Sequence, residues 1–152
     1  MSVEIDVLYE DDLHCRATHV SSRKTLSTDA PVDNGGRGET FSPTDLVATA
    51  LGSCIITIMA LVAKRSGIDL AGMHVHVVKE MVSKPVRRIG TLKVIVTIPK
   101  GLHIPEKGRA KLERAAEMCP VRQNLHMVLL YETIYIVIGH APAWGSYMGD
   151  MT

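Results

Sequence analysis

Cysteine is the residue type in this sequence best placed to do covalent chemistry. Cys54 closes the apolar run "SPTDLVATALGSC" (42–54), and Cys119 precedes Pro120 in "EMCPVRQNL" (117–125). Proline favours the first position of a helix, which puts Cys119 at or beside an N-cap. Free N–H groups and the helix dipole stabilise a thiolate there, and Arg122 adds a positive charge nearby. That setting suits a reactive thiol and, equally, a small capping residue. Cys54 has a simpler reading as a small core residue, because free cysteine is among the most buried residue types. A thiol inside apolar surroundings becomes a nucleophile only if a cation is brought to it. Arg37 and Arg16 are the candidates to do so, with Asp45 a carboxylate able to hold a guanidinium in place. Cys15, in a probable strand, has no partner signal and reads as structural.

Other chemistries find less support. Seven histidines are present, and His74 and His76 share one face of a strand, the outer one if Val75 and Val77 point inward. His14 beside Cys15 and His126 near Cys119 are loose pairings without the ligand spacing of a metal site, so no metal or cofactor is expected. There is no G-x-S-x-G elbow, and "GRGETFS" is not a phosphate-binding loop. Seventeen basic against sixteen acidic residues leave a formal charge of +1, and one Phe, one Trp and four Tyr make no stacking platform, so nucleic acid is not an expected partner.

The elements that must position the cysteines follow from periodicity. "VEIDVLY" (3–9), "HCRATHV" (14–20) and "RKTLST" (23–28) read as three strands, and 29–43 reads as a Gly-rich loop. Ser42, Pro43 and Asp45 open a helix whose stretch 46–63 carries no charge before Lys64 and Arg65. Its 18 residues touch the lower limit for a bilayer span, but Thr49, Gly52, Ser53 and Thr57 interrupt it, and the neighbouring strands need a core to cover. A helix apolar on nearly every face is one surrounded by protein, and in so small a domain that invites a second subunit. Residues 73–82 and 87–99 alternate as a hairpin turning near Ser83–Pro85. An amphipathic helix (105–118), a short helix from Pro120 and a last strand (131–139) follow, with the tail 141–152 unassigned. The order predicts an α+β fold with mainly antiparallel pairing, as one domain over residues 1–152. A balance of 46% hydrophobic and 22% charged residues fits a folded soluble chain. "MSVEIDVLYEDD" has no basic region followed by an apolar run, and three cysteines argue against a disulfide framework, so the expected location is the cytoplasm.

Asp29-Ala30-Pro31, then Gly35-Gly36, then "FSPTDLVATALGSC", and 65 positions beyond Cys54 the "EMCPVRQNL" run, resemble the OsmC/Ohr family of small bacterial thiol peroxidases over nearly the whole chain to about residue 140. The resemblance implies an intertwined homodimer in which antiparallel sheets wrap two long central apolar helices. It implies that Cys54 is the peroxidatic thiolate and Cys119 the resolving thiol, with organic hydroperoxides as substrate and a lipoyl-type or thioredoxin-type dithiol as reductant. The family's activating arginine has Arg37 as its nearest equivalent, with Arg16 the candidate from the N-terminal strands. Thr44 stands where the family carries a glutamate, with Asp45 one step on. A non-enzymatic dimer binding a small apolar or electrophilic ligand is the alternative that these departures leave open.

Overall fold

The computed structural model describes residues 2–125 and the strand 131–138; His126 and the tail 141–152 lie outside the described residues. The elements run β1 (Ile5–Asp11), β2 (His14–His19), β3 (Lys24–Asp29), a 3₁₀ turn (Val32–Asn34), α1 (Pro43–Arg65), β4 (His74–Val82), β5 (Arg88–Ile98), α2 (Glu106–Glu117), α3 (Pro120–Leu125) and β6 (Tyr131–Ile138). The chain is α+β, and it divides into two compact units, residues 1–47 and 48–152.

In the N-terminal unit β1, β2 and β3 form an antiparallel meander. Asp12 and Leu13 both take positive φ, 50° and 60°, the pairing that a tight hairpin turn requires. The loop after β3 folds back on it. The Asp29 N–H donates to the Phe41 carbonyl at 3.1 Å, and the Gly38 N–H to the Ala30 carbonyl at 3.2 Å. A Cβ on Gly36 would lie 2.0 Å from the Ala30 carbonyl oxygen, so only glycine lets the loop close this tightly.

α1 begins with a reciprocal cap. The Ser42 N–H donates to Asp45 Oδ2 at 2.7 Å, and the Asp45 N–H donates to Ser42 Oγ at 3.2 Å. The last turn carries Lys64 and Arg65, which suit the negative end of the helix dipole.

In the C-terminal unit the second sheet has the order β4-β5-β6, with β4 and β5 antiparallel and β6 parallel to β5. The parallel pairing follows from the connection, since α2 and α3 carry the chain back across the sheet before β6 begins. Leu92, Val94, Val96 and Ile98 alternate along β5 and are fully buried. They form one core with Leu51, Ile55, Met59 and Ala63 of α1 and Leu112, Ala115 and Ala116 of α2. Val75 and Val77 of β4 face the same helix. A Cβ added at Gly52 would meet Val77 at 2.8 Å and Val75 at 3.3 Å, so Gly52 sets how closely helix and strand approach. By length and composition alone α1 passes for a membrane span. One face of it, with Leu51, Ile55, Met59 and Ala63, is buried in the core formed with β5 and α2.

Candidate functional site: a pair of thiols and a ring of charges

Cys54 lies midway along α1 and is half-buried, packed against the core of the C-terminal unit. Cys119 lies in the joint between α2 and α3, fully buried in that core. The two thiols share that core close enough for Cys54 to bear on the acidity of Cys119, and both are free. Residues 65 positions apart therefore meet because α1 and the α2–α3 joint bury their apolar faces in one cluster. Burial pushes the Cys119 thiol above the ordinary thiol pKa, and the Cys54 thiol adds to the shift. The backbone N–H groups of Arg122 and Val121 act the other way, because they donate to the sulfur and favour its thiolate. Desolvation outweighs them. The helix-end placement expected for Cys119 is found, and its N–H donors are too few to offset removal from water.

The charged candidates lie in the N-terminal unit. Asp29, only 2% exposed, is the hub. Its Oδ1 takes a short contact from His14 Nδ1, and its Oδ2 accepts the Glu39 N–H at 3.0 Å. Arg37 reaches Asp29 at 3.8 Å, Asp12 at 3.6 Å and Glu39 at 3.8 Å. The hydrogen bond from His14 is the main cause that holds the Asp29 carboxyl below its usual range; burial opposes it, and the Glu39 amide and Arg37 assist. Arg16, on β2, pairs with Glu10 at 2.6 Å. The Asp45 carboxylate accepts the Ser42 N–H in the helix cap, and Thr44 Oγ1 lies 3.0 Å from Ser42 Oγ. Cys15 is half-buried on β2, opposite Tyr9 and Thr28. Among the described residues no three His, Cys, Asp or Glu side chains cluster as a metal site.

Two groups escape a reading of the sequence. Asp29 opens the Asp29-Ala30-Pro31 piece of the family resemblance, but nothing in that piece marks a charge or ligand role for it, and only its chain neighbourhood with the "NGGRG" loop hints at one. Glu117 forms an ion pair with Arg122 across the Cys119–Pro120 break, at a spacing no regular helix would bring together.

The OsmC-like protein family model matches residues 36–129, which include both Cys54 and Cys119. The chain belongs to the OsmC family. Among solved structures, it is 37% identical to one described as an osmotic stress induced and detoxification response protein from Psychrobacter arcticus 273-4, with a TM-score of 0.79 over 87% of this chain and 93% of that one. The OsmC-like protein of Mycoplasma pneumoniae shares the fold at 15% identity, with a TM-score of 0.75 over 92% of this chain and 99% of that one. So does the organic hydroperoxide resistance protein of Bacillus subtilis, at 17% identity and a TM-score of 0.63, over 91% and 98%. No curated protein matches the sequence. The long central helix and mainly antiparallel sheets expected of an OsmC/Ohr fold are thus those of this chain, with the β5–β6 pairing the parallel exception.

Proposed function

We propose that this OsmC-family chain is a stress-response thiol peroxidase that reduces organic hydroperoxides. The observation that carries the reading is the contact between the free thiols of Cys54 and Cys119 in an apolar core. The Cys54 thiolate attacks the distal oxygen of the peroxide. The O–O bond breaks, the alkoxide leaves with a proton as an alcohol, and Cys54 becomes a sulfenic acid. Cys119 then attacks that sulfur, forming the Cys54–Cys119 disulfide with loss of water. A dithiol of the lipoyl or thioredoxin type reduces the disulfide by exchange. Arg37 is the first candidate cation for the Cys54 thiolate and Arg16 the second, with Asp45 and Thr44 at the head of the same helix as supporting groups. An apolar surround suits a hydrophobic peroxide, and a ring of charges on a Gly-rich loop suits a guanidinium that must be held and aimed.

The same reading makes the chain a single OsmC-like domain, cytoplasmic, that works as a homodimer. Only 33% of the most apolar stretch of α1 is buried within the chain. Ile5, Val7, Leu8 and Tyr9 of β1 are each more than half exposed, which is surface that a second copy would cover. Sedimentation equilibrium tests this, with twice the 16.6 kDa chain mass expected. The alternative, a dimer that binds a small apolar or electrophilic ligand without turnover, draws support from Thr44 in place of a carboxylate and from the three carboxylates around Arg37. Consumption of cumene hydroperoxide in the presence of dihydrolipoamide separates the two. Turnover lost in Cys54→Ser is the expected result, and wild-type consumption no faster than that of free cysteine favours the ligand-binding reading.

A further inference from the structure

Four bonds bracket the joint that carries Cys119. Arg122 Nη1 donates to Glu117 Oε2 at 2.5 Å, and Gln123 Nε2 donates to the Glu117 carbonyl at 2.8 Å. The Gln123 N–H donates to the Cys119 carbonyl at 3.0 Å, and Asn124 Nδ2 donates to the Pro120 carbonyl at 2.8 Å. Glu117 therefore receives two side chains from α3, on its carboxylate and on its carbonyl. The Arg122 side chain is 14% exposed and that of Glu117 60%, so the guanidinium end of this ion pair is shielded while the carboxylate end faces solvent. Glu117 is also the last residue of α2, where the helix dipole disfavours a carboxylate. Its gain comes from the partner across the break. Arg122 has a second connection to the chemistry, since its backbone N–H donates to the Cys119 sulfur.

We propose that Glu117 and Arg122 are positioning residues for the cysteine pair: their ion pair ties the start of α3 to the end of α2 and so holds the Cys119 thiol against Cys54. The role rests on the peroxidase reading only for its use in turnover, where it speeds the condensation of Cys119–SH with Cys54–SOH to the disulfide and water. The positioning itself is independent of any peroxide. It raises the effective concentration of one thiol at the other, as tethering does between any two reacting groups.

The test is a redox equilibrium on the full chain. Protein dithiol and oxidised dithiothreitol exchange to protein disulfide and reduced dithiothreitol at fixed pH, and intact mass gives the oxidised fraction. Glu117→Gln and Arg122→Gln are each expected to lower the equilibrium constant for disulfide formation about fivefold, with Arg122→Lys recovering part of the loss. A tenfold change would correspond to about 30 mV for this two-electron couple. The direction separates positioning from charge. If Arg122 and Glu117 acted only by tuning the acidity of Cys119, neutralising the two would move the equilibrium in opposite directions, and that result overturns the proposal. Wild-type equilibria in both folded variants overturn it too. Glu113→Gln breaks the similar Arg109–Glu113 pair, at 3.0 Å on the outer part of α2, and is expected to leave the equilibrium unchanged. Because no peroxide enters the measurement, a chain inactive toward hydroperoxides that still shows the fivefold shifts retains this inference and loses only the peroxidase reading.

Discussion

Asp29 and Cys119 are buried to nearly the same degree, 2% and 0% exposed, yet folding moves their proton affinities in opposite directions. Asp29 is pulled down because His14, the Glu39 N–H and Arg37 converge on its charged form. Cys119 is pushed up because its surroundings are Leu, Ile and Ala side chains and another thiol, with only two backbone N–H groups to favour its thiolate. Burial alone decides neither. The number and sign of the partners does, and the two units spend their polar groups differently: one builds a charged loop, the other a dry core around sulfur.

The comparison can be tested from its largest expected effect downward. In the proposed cycle Cys119 must ionise to close the disulfide. With its pKa above the ordinary thiol value, the closure rate is expected to climb about tenfold per pH unit from pH 7 to 9. Stopped-flow trapping of the Cys54 sulfenic acid measures this, and a plateau by pH 7 would show that the N–H donors outweigh burial after all.

Leu51→Ala opens a cavity in the core that also holds Cys119, and denaturant unfolding is expected to show a loss of about 2–5 kcal/mol. Gly52→Ala gains helix propensity but drives a methyl into Val77, for a net loss of about 1–2 kcal/mol by the same measurement. A stabilised variant would mean that β4 can retreat from α1.

In the charged unit the pH sign is reversed. Folding lowers the Asp29 pKa, so its contribution to stability is complete above the unfolded carboxylate value of about 4 and is lost as pH falls through the folded one. Asp29→Asn is expected to flatten the acid limb of the stability curve below about pH 4. Equal limbs in the two proteins would show that His14 and Arg37 do not favour the ionised form. The smallest effect belongs to the β1–β2 turn: Leu13→Gly relieves a side chain at φ 60° and is expected to stabilise by a few tenths of a kcal/mol to about 1 kcal/mol.

The sequence makes the dry unit far more legible than the charged one. Alternation over 88–98 marks β5, and the inward Val75 and Val77 follow from the same period-two pattern. Ser42 and Asp45 announce the start of α1 because capping is local. The meeting of Cys54 with Cys119 is another matter. Spacing alone left both thiols open to a bland reading, and only the family resemblance paired them. The partners of Arg37 were hidden for a physical reason: Asp12 comes from a hairpin turn, Asp29 from a strand end and Glu39 from the loop itself, so tertiary folding alone assembles them. The parallel seating of β6 was equally hidden, since residue alternation fixes which face a side chain takes but not the direction of the strand.

The central claim is that Cys54 and Cys119 work as one redox unit. Intact mass after one equivalent of cumene hydroperoxide, on wild type and Cys54→Ser, tests it most directly. The account predicts rapid loss of two hydrogens in the wild type alone, with peptide mapping linking Cys54 to Cys119. An unchanged wild-type mass, or oxidation no faster than that of a free thiol, would contradict it.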